Sequence, residues 1–109
     1  MTAWAQSLIR ISNYEVETLQ KRLAEIAERR GGAEMKLAVL DAEAEGERAR
    51  ARADTEAGMM LGAYLAGWKS RRAAAEGALT EIEAEEAGAE ARRAWLAAGI
   101  EVHAALAGA

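Results

Sequence analysis

The sequence predicts an all-helical protein, folded as an antiparallel two-helix coiled-coil hairpin, from three observations. Larger apolar residues recur at heptad spacing from one end of the chain to the other. Proline is absent, and the strict alternation that marks a β-strand is nowhere sustained. The apolar pattern weakens at the centre of the chain, where a reversal would let two arms bury their apolar seams against each other.

The first arm is expected at about residues 3–53 and the second at about 57–106, within a single domain spanning 1–109. Glutamate precedes a basic residue by three or four positions at several exposed sites of these arms, a spacing that supports helices. Two apolar rows form the predicted seam. One holds Ile9, Val16, Leu23, Leu37, Leu65, Leu79 and Ile100, and the other holds Leu19, Ile26, Leu40, Leu61, Trp68, Ile82 and Leu96.

The turn is expected at about residues 53–57, because the seam between Ala44 and Gly58 contains only small or charged residues. Asp54 or Thr55 can accept free amides at the start of the second helix, and Glu56 suits the positive end of its dipole. The heptad phase does not slip across this stretch. A single long helix in a dimeric coiled coil is therefore the alternative fold.

Several seam positions carry residues that a coiled-coil core does not favour. Either their long stems pass beside the seam towards water, or part of the seam faces a partner. Two adjacent glycines, Gly31 and Gly32, indicate a bend or a close helix crossing. The polar seam residues are Arg30, Arg72, Glu86 and Arg93.

Composition argues against an enzyme. The chain has no cysteine and no glycine-rich phosphate loop, and its one histidine, His103, lies on a seam position in an alanine-rich stretch, where a packing role is expected. Glu81, Glu85 and Glu86 could be imagined as metal ligands, but carboxylates on one exposed helix more often form a solvated face. We therefore predict no catalytic residue, no cofactor and no metal site.

The balance of charge and apolar residues also restricts the partners. A formal net charge of −4 does not favour nucleic acid. The first thirteen residues lack the basic leader and apolar stretch of a signal peptide, and residues 95–109 are too short to span a bilayer and too poor in basic residues for an anionic membrane surface. We expect a cytoplasmic protein without direct membrane insertion.

One apolar group exceeds what the seam can bury. Met60 and Tyr64 lie off the seam, and methionine and aromatic side chains are adaptable anchors in protein interfaces. We therefore expect a partner-binding surface just after the turn, although the group could instead only close that end of the hairpin. Its members are Met59, Met60, Leu61, Tyr64, Leu65 and Trp68.

The run SLIRISNYEVETLQKRLAEI, with the apolar spacing that follows it and the group around Trp68, resembles the flagellar FliJ family, particularly its alphaproteobacterial members. The resemblance covers about residues 4–90, and only the N-terminal run is specific. It implies an antiparallel coiled coil in the cytoplasmic flagellar type III export apparatus. The sequence departs from the family pattern after Arg93, where a charged helix is replaced by an alanine-rich segment, so the C-terminal part of the implied ATPase contact is in question.

The resemblance implies three kinds of partner: the export ATPase, the export-gate membrane protein and export chaperones. The end of the hairpin that carries both termini would enter the ATPase ring, with Trp4, Leu8 and Ile11 near it, and the group from Met59 to Trp68 would lie near the gate. Through the gate the protein would be peripheral to the inner membrane. The alternative function is a generic structural or scaffolding coiled coil.

Overall fold

The computed structural model describes residues 2–108, and all of them except Asp54 are helical. Helix α1 spans Thr2–Ala53 and helix α2 spans Thr55–Gly108. The fold is the antiparallel helical hairpin that the sequence predicts. Cross-helix contacts such as Glu15 with Arg92 and Asp41 with Arg72 show that the two helices run in opposite directions.

The reversal occurs at a single residue. Asp54 donates its backbone N–H to the carbonyl of Arg50 at 3.0 Å, and its own carbonyl accepts from the N–H of Gly58 at 3.0 Å. The Asp54 Oδ1 atom accepts the backbone N–H of Glu56 at 2.9 Å. Asp54 therefore acts as the N-cap of α2, supplying an acceptor to an amide that has no partner in the first helical turn.

Gly58 lies in close contact with the end of α1. A Cβ atom at this position would lie 3.3 Å from the carbonyl oxygen of Ala51, which belongs to the end of α1. By contrast, a Cβ at Gly31 or Gly32 would meet nothing within 4 Å, so these two glycines do not mark a close helix crossing.

The core follows the predicted heptad rows. Every buried side chain among the described residues falls on one of the two rows, and seven of the eight lie on the row that contains Ile26 and Leu96. Half of them are alanines, which bury little area and let the helices approach closely. The buried residues are Ala5, Ile26, Leu40, Ala44, Ala75, Ile82, Ala89 and Leu96.

The hairpin divides into two compact units. The terminal unit comprises Met1–Glu28 with Glu83–Ala109, and the turn unit comprises Arg29–Ile82. The terminal unit contains five basic and nine acidic residues and has a formal charge of −4, whereas the turn unit contains nine of each and is neutral. Within residues 2–108, neither helix has an apolar stretch long enough to cross a membrane.

Candidate functional site

In the turn unit, the six residues predicted to bind a partner separate into two classes. Met59 and Met60 are 78% and 67% exposed, whereas the other four are half-buried. Leu61 and Leu65 are among these four and lie on the seam rows. Only the two methionines therefore present most of their surface to solvent.

Trp68 links the two helices of the turn unit. Its indole Nε1–H donates to the backbone carbonyl oxygen of Leu40 at 2.7 Å. The guanidinium groups of Arg48 and Arg72 lie 5.7 and 5.9 Å from the centre of its ring, within the range of cation–π attraction. These contacts explain why Trp68 occupies a seam position, and they make it part of the framework of the turn unit.

Tyr64 does not extend freely into solvent. Its ring is half-buried, and its hydroxyl oxygen is buried without a hydrogen-bond partner among the described residues. The Arg71 guanidinium lies 5.7 Å from the ring centre. Tyr64 and Gly46 line a shallow groove between the helices. The Tyr64 side chain therefore does not lie on the outer face of the hairpin, although its heptad position is off the seam.

The polar seam residue Arg72 makes specific contacts across the helices. Its Nε donates to Asp41 Oδ1 at 2.7 Å and a terminal nitrogen donates to Asp41 Oδ2 at 3.2 Å, while another contacts Glu76 on the same helix. The hydrogen bonds from Arg72 hold the pKa of Asp41 below its ordinary value. Arg30 and Arg93 pair with Glu34 and Glu90 on their own helices.

In the terminal unit, the three residues predicted near the ATPase end are all exposed. The exposed fractions are 49% for Trp4, 39% for Leu8 and 64% for Ile11. Trp4 also packs edge-to-face on His103, with ring centres 6.2 Å apart and planes at 81°. His103 is half-buried on the seam and its Nδ1 atom is buried, which is consistent with a packing role.

Helix α2 contributes apolar side chains to the same end, and the sequence reasoning missed them. Trp95, Val102 and Leu106 are 66%, 57% and 52% exposed. On one flank of the seam, Leu106 occupies the heptad position next to it, as Leu8 does on α1, and Trp95 and Val102 occupy the next position outward, as do Trp4 and Ile11. Extending the heptad assignment from the seam to these flanking positions would have revealed them.

Residues of both helices enclose a groove of about 580 Å³, which we call the terminal groove. Its walls are Leu8 and Ile11 on α1 and Trp95 and Val102 on α2, and Gly99 also lines it. A Cβ at Gly99 would meet nothing within 4 Å, so the absence of a side chain leaves open space beside the walls. The groove is large enough for several apolar side chains of a partner.

An ion pair borders the terminal groove. Arg92 donates to both carboxylate oxygens of Glu15, at 2.7 and 3.1 Å, and its guanidinium lies 4.7 Å from the centre of the Trp95 ring. The hydrogen bonds from Arg92 lower the pKa of Glu15 and raise the pKa of Arg92. This arrangement places the Arg92 guanidinium against the Trp95 ring beside the groove.

No arrangement for metal binding is found among residues 2–108, where no three acidic or histidine side chains converge. Of the three glutamates considered as ligands, Glu85 pairs with Arg22 across the helices at 3.0 Å. The described part of the chain therefore presents helical surfaces, with the terminal groove between its two helices.

Comparison with known proteins identifies close relatives. The chain is 57% identical over 89 residues to proteins named "Flagellar FliJ protein" from two strains of Caulobacter vibrioides, NA1000 / CB15N and ATCC 19089 / CIP 103742 / CB 15. The match covers 82% of this chain and 64% of each relative, so this chain spans less than two thirds of their length. The family resemblance seen in the sequence is thereby confirmed. No protein-family model and no solved structure matches the chain.

Proposed function

Because this chain is a relative of the flagellar FliJ proteins, we propose that it is a non-enzymatic component of the flagellar type III protein export apparatus. The 57% identity over 89 residues is the observation that carries this proposal. The hairpin supports it, since a pair of long helices with exposed apolar side chains is suited to binding other proteins.

We further propose that the protein connects the export ATPase to the export gate in the cytoplasm, peripheral to the inner membrane, and assists the cycling of export chaperones. The terminal unit would contact the ATPase through Trp4, Leu8 and Ile11. In the turn unit, the exposed Met59 and Met60 would contact the gate. The half-buried members of that group would hold the two methionines in place.

The test of the overall role is export itself. Deleting the gene should abolish motility in soft agar and reduce secretion of flagellar filament protein into the medium, and the intact gene should restore both. Unchanged secretion after deletion would contradict the proposal and favour the generic scaffolding coiled coil.

The gate contact can be tested with Met59→Glu and Met60→Glu in one chain. Both side chains are exposed, so the thermal unfolding midpoint should change little, while binding to the gate protein should fall by at least about tenfold if they are buried anchors there. Met35→Glu is the matched control, because Met35 is 64% exposed on α1 of the same unit. Unimpaired gate binding by the double variant would refute the assignment.

Leu65→Glu supplies the structural reference for this experiment. Leu65 is half-buried on the seam, so a charge there should lower the unfolding midpoint clearly. Tyr64→Glu should lower it too, because the Tyr64 hydroxyl is buried between the helices. If the methionine variant melts as early as Leu65→Glu does, Met59 and Met60 are core residues, and a loss of gate binding would then reflect unfolding.

The ATPase contact is tested in the same way at the other end. Leu8→Ser with Ile11→Ser should weaken binding to the export ATPase in a pull-down while leaving the circular dichroism spectrum unchanged, because both side chains are exposed. Met35→Ser is the control. Full ATPase binding by the double variant would place the contact elsewhere.

A further inference from the structure

We propose that the terminal groove is the surface through which two copies of this chain associate, related by a two-fold axis that crosses the groove. The occupant of the groove is then the same groove of a second copy. This inference goes beyond the proposed function, which assigns no self-association, and it is measured on the isolated full chain.

The exposed apolar area around the groove is large enough for a dimer. Six large apolar side chains on this flank of the seam are between 39% and 66% exposed, which corresponds to roughly 100 Å² each. Covering them would remove roughly 600 Å² from water on each copy and roughly 1,200 Å² in a pair, whereas a specific interface needs about 1,000 Å². The six are Trp4, Leu8, Ile11, Trp95, Val102 and Leu106.

The α2 side of the groove is complementary to itself. Trp95 is 66% exposed, and Gly99 follows it by about one helical turn and leaves open space, because a Cβ there would meet nothing within 4 Å. In a two-fold contact, every contact between two different residues occurs twice. An axis perpendicular to α2, halfway between these two residues, places Trp95 of each copy in the space beside Gly99 of the other.

Helix α1 brings apolar side chains to the same axis. Glu15 pairs with Arg92, and the two helices are antiparallel. Counting seven residues outward from this pair on each helix places Leu8 level with Gly99. The axis therefore passes close to the midpoint between Leu8 and Ile11, so that each of them meets the other in the second copy. Both helices contribute reciprocal contacts to one axis.

The distribution of charge permits this contact. Among the described residues that line the groove, Glu15 and Arg92 carry formal charges, and they neutralise each other in one ion pair. The neutral groove therefore has no net charge that would repel a second copy or select a strongly basic or acidic partner.

The acidic residues of the terminal unit lie away from the axis. Residues 16–28 and 83–90 contain two basic and seven acidic residues. At a rise of about 1.5 Å per residue, residues 83–90 are roughly 10–20 Å from an axis at residue 97, so those of the two copies are roughly 20–40 Å apart. This separation exceeds the screening length of about 8 Å at physiological salt, so the repulsion between the copies is weak.

The first test is sedimentation equilibrium of the full chain from about 1 µM to about 500 µM, a range that includes weak dissociation constants. The mean mass should rise with concentration towards twice the mass of one chain. A mass of one chain at every concentration would overturn the proposal.

The anchors are tested with Ile11→Ser combined with Trp95→Ser, which should raise the dimer dissociation constant at least about tenfold. Both side chains are exposed, so the circular dichroism spectrum should not change. Met35→Ser, at the same 64% exposure as Ile11 but in the turn unit, is the control and should dimerise as the unchanged chain does. Undiminished dimerisation of the double variant would place the contact elsewhere and overturn the proposal.

The shape of the contact is tested with Gly99→Leu. The leucine fills the space that Trp95 of the other copy would occupy, so dimerisation should weaken, while the unfolding midpoint should not fall, because leucine suits a helix better than glycine. Gly88→Leu is the matched control, since a Cβ at Gly88 on the same helix also meets nothing within 4 Å. If association were only non-specific adhesion of apolar surface, Gly99→Leu would strengthen it. That result would overturn the proposal.

Other occupants give distinct results. Sedimentation with phosphatidylglycerol vesicles that the variant with Ile11→Ser and Trp95→Ser loses, by a chain that stays monomeric without them, would assign the groove to a membrane surface. Loss of export ATPase binding by the same variant, with the unchanged chain monomeric at every concentration, would assign it to the ATPase. Either result overturns the proposal.

The outcome also separates this inference from the proposed function. Leu8 and Ile11 are the residues proposed to contact the ATPase, so adding the ATPase should dissociate the dimer. A dimer that persists in the ATPase complex would leave self-association standing and contradict the assignment of that contact. ATPase binding by a chain that never dimerises would contradict self-association and leave the proposed function standing.

Discussion

At the scale of single residues, two ion pairs connect the helices of the hairpin beside its apolar seam. Asp41–Arg72 in the turn unit and Glu15–Arg92 in the terminal unit are both two-bonded pairs from one helix to the other. Because their side chains are partly exposed, we expect them to contribute more to the alignment of the helices than to the free energy of unfolding.

The Glu15 pair should make stability depend on pH. The pKa of Glu15 is lowered from 4.5 in the folded chain, mainly by the hydrogen bonds from Arg92, so the unfolded chain binds a proton more readily. The contribution is present above pH 4.5 and is lost as the pH falls through the lower folded pKa. Glu15→Gln should therefore lower the unfolding midpoint at pH 7 and have almost no effect at pH 2.

Circular dichroism melting curves between pH 7 and pH 2 provide the measurement. Glu17→Gln is a suitable control, because the Glu17 carboxylate makes no ion pair within residues 2–108. A difference between Glu15→Gln and the unchanged chain that stays constant over this range would show that the Arg92 pair is not the cause.

The glycines give a second prediction at this scale. Gly31 is exposed in the interior of α1 with open space around a Cβ, so Gly31→Ala should raise the free energy of unfolding by about 0.5–1 kcal/mol. Gly58→Ala should raise the free energy of unfolding by less, or lower it, because the new Cβ would lie 3.3 Å from the carbonyl oxygen of Ala51. Urea denaturation of both variants tests this, and equal gains would contradict the close approach at the turn.

At the scale of the helices, the reversal depends on one cap. Asp54 is the only non-helical residue in the described part of the chain, and its side chain accepts the N–H of Glu56. The first turn of α2 otherwise has few acceptors for its amides. The position of Asp54 therefore sets where α1 ends and α2 begins.

Removing this cap should destabilise the hairpin measurably. Asp54→Ala should lower the free energy of unfolding by about 0.5–2 kcal/mol, whereas Asp54→Asn, which retains an acceptor oxygen, should cost much less. Chemical denaturation curves of the two variants supply the comparison. Identical curves for Asp54→Ala and the unchanged chain would mean that the cap does not stabilise the turn.

At the scale of the whole molecule, the charges are distributed unevenly. The terminal unit holds the entire formal charge of −4, and the turn unit is neutral. Exposed apolar side chains occur in both units, so the units differ in net charge and not in whether they expose apolar surface.

The hairpin also makes a prediction about distance in solution. Gln20 and Ala94 are exposed and line one shallow groove of the terminal unit. Because the chain lacks cysteine, spin labels can be attached to cysteines introduced at these two positions alone. Double electron–electron resonance should report a short distance between the two labels of one chain. Dilution with unlabelled protein should leave that distance unchanged. A separation near 110 Å, expected for one continuous helix, would contradict the hairpin.

The amino-acid sequence by itself determined the helical state and the identity of the seam. Both follow from the heptad spacing of apolar residues such as Ile26 and Leu96, which is a local property of each helix. It also placed the weak seam and the capping residues in the region of Asp54. In addition, the N-terminal run was sufficient to indicate the family, since that run is specific and coiled-coil spacing is not.

Only the tertiary structure decided which side chains remain available to partners. Trp68 and Tyr64 pack against α1, and Trp95 and Ile11 line the same groove. Both arrangements arise because the register between the helices brings together residues that are distant in sequence. Heptad spacing assigns each residue to a face of its own helix. It cannot specify which residue of the other helix lies opposite, and that pairing determines the ion pairs, the tryptophan contacts and the terminal groove.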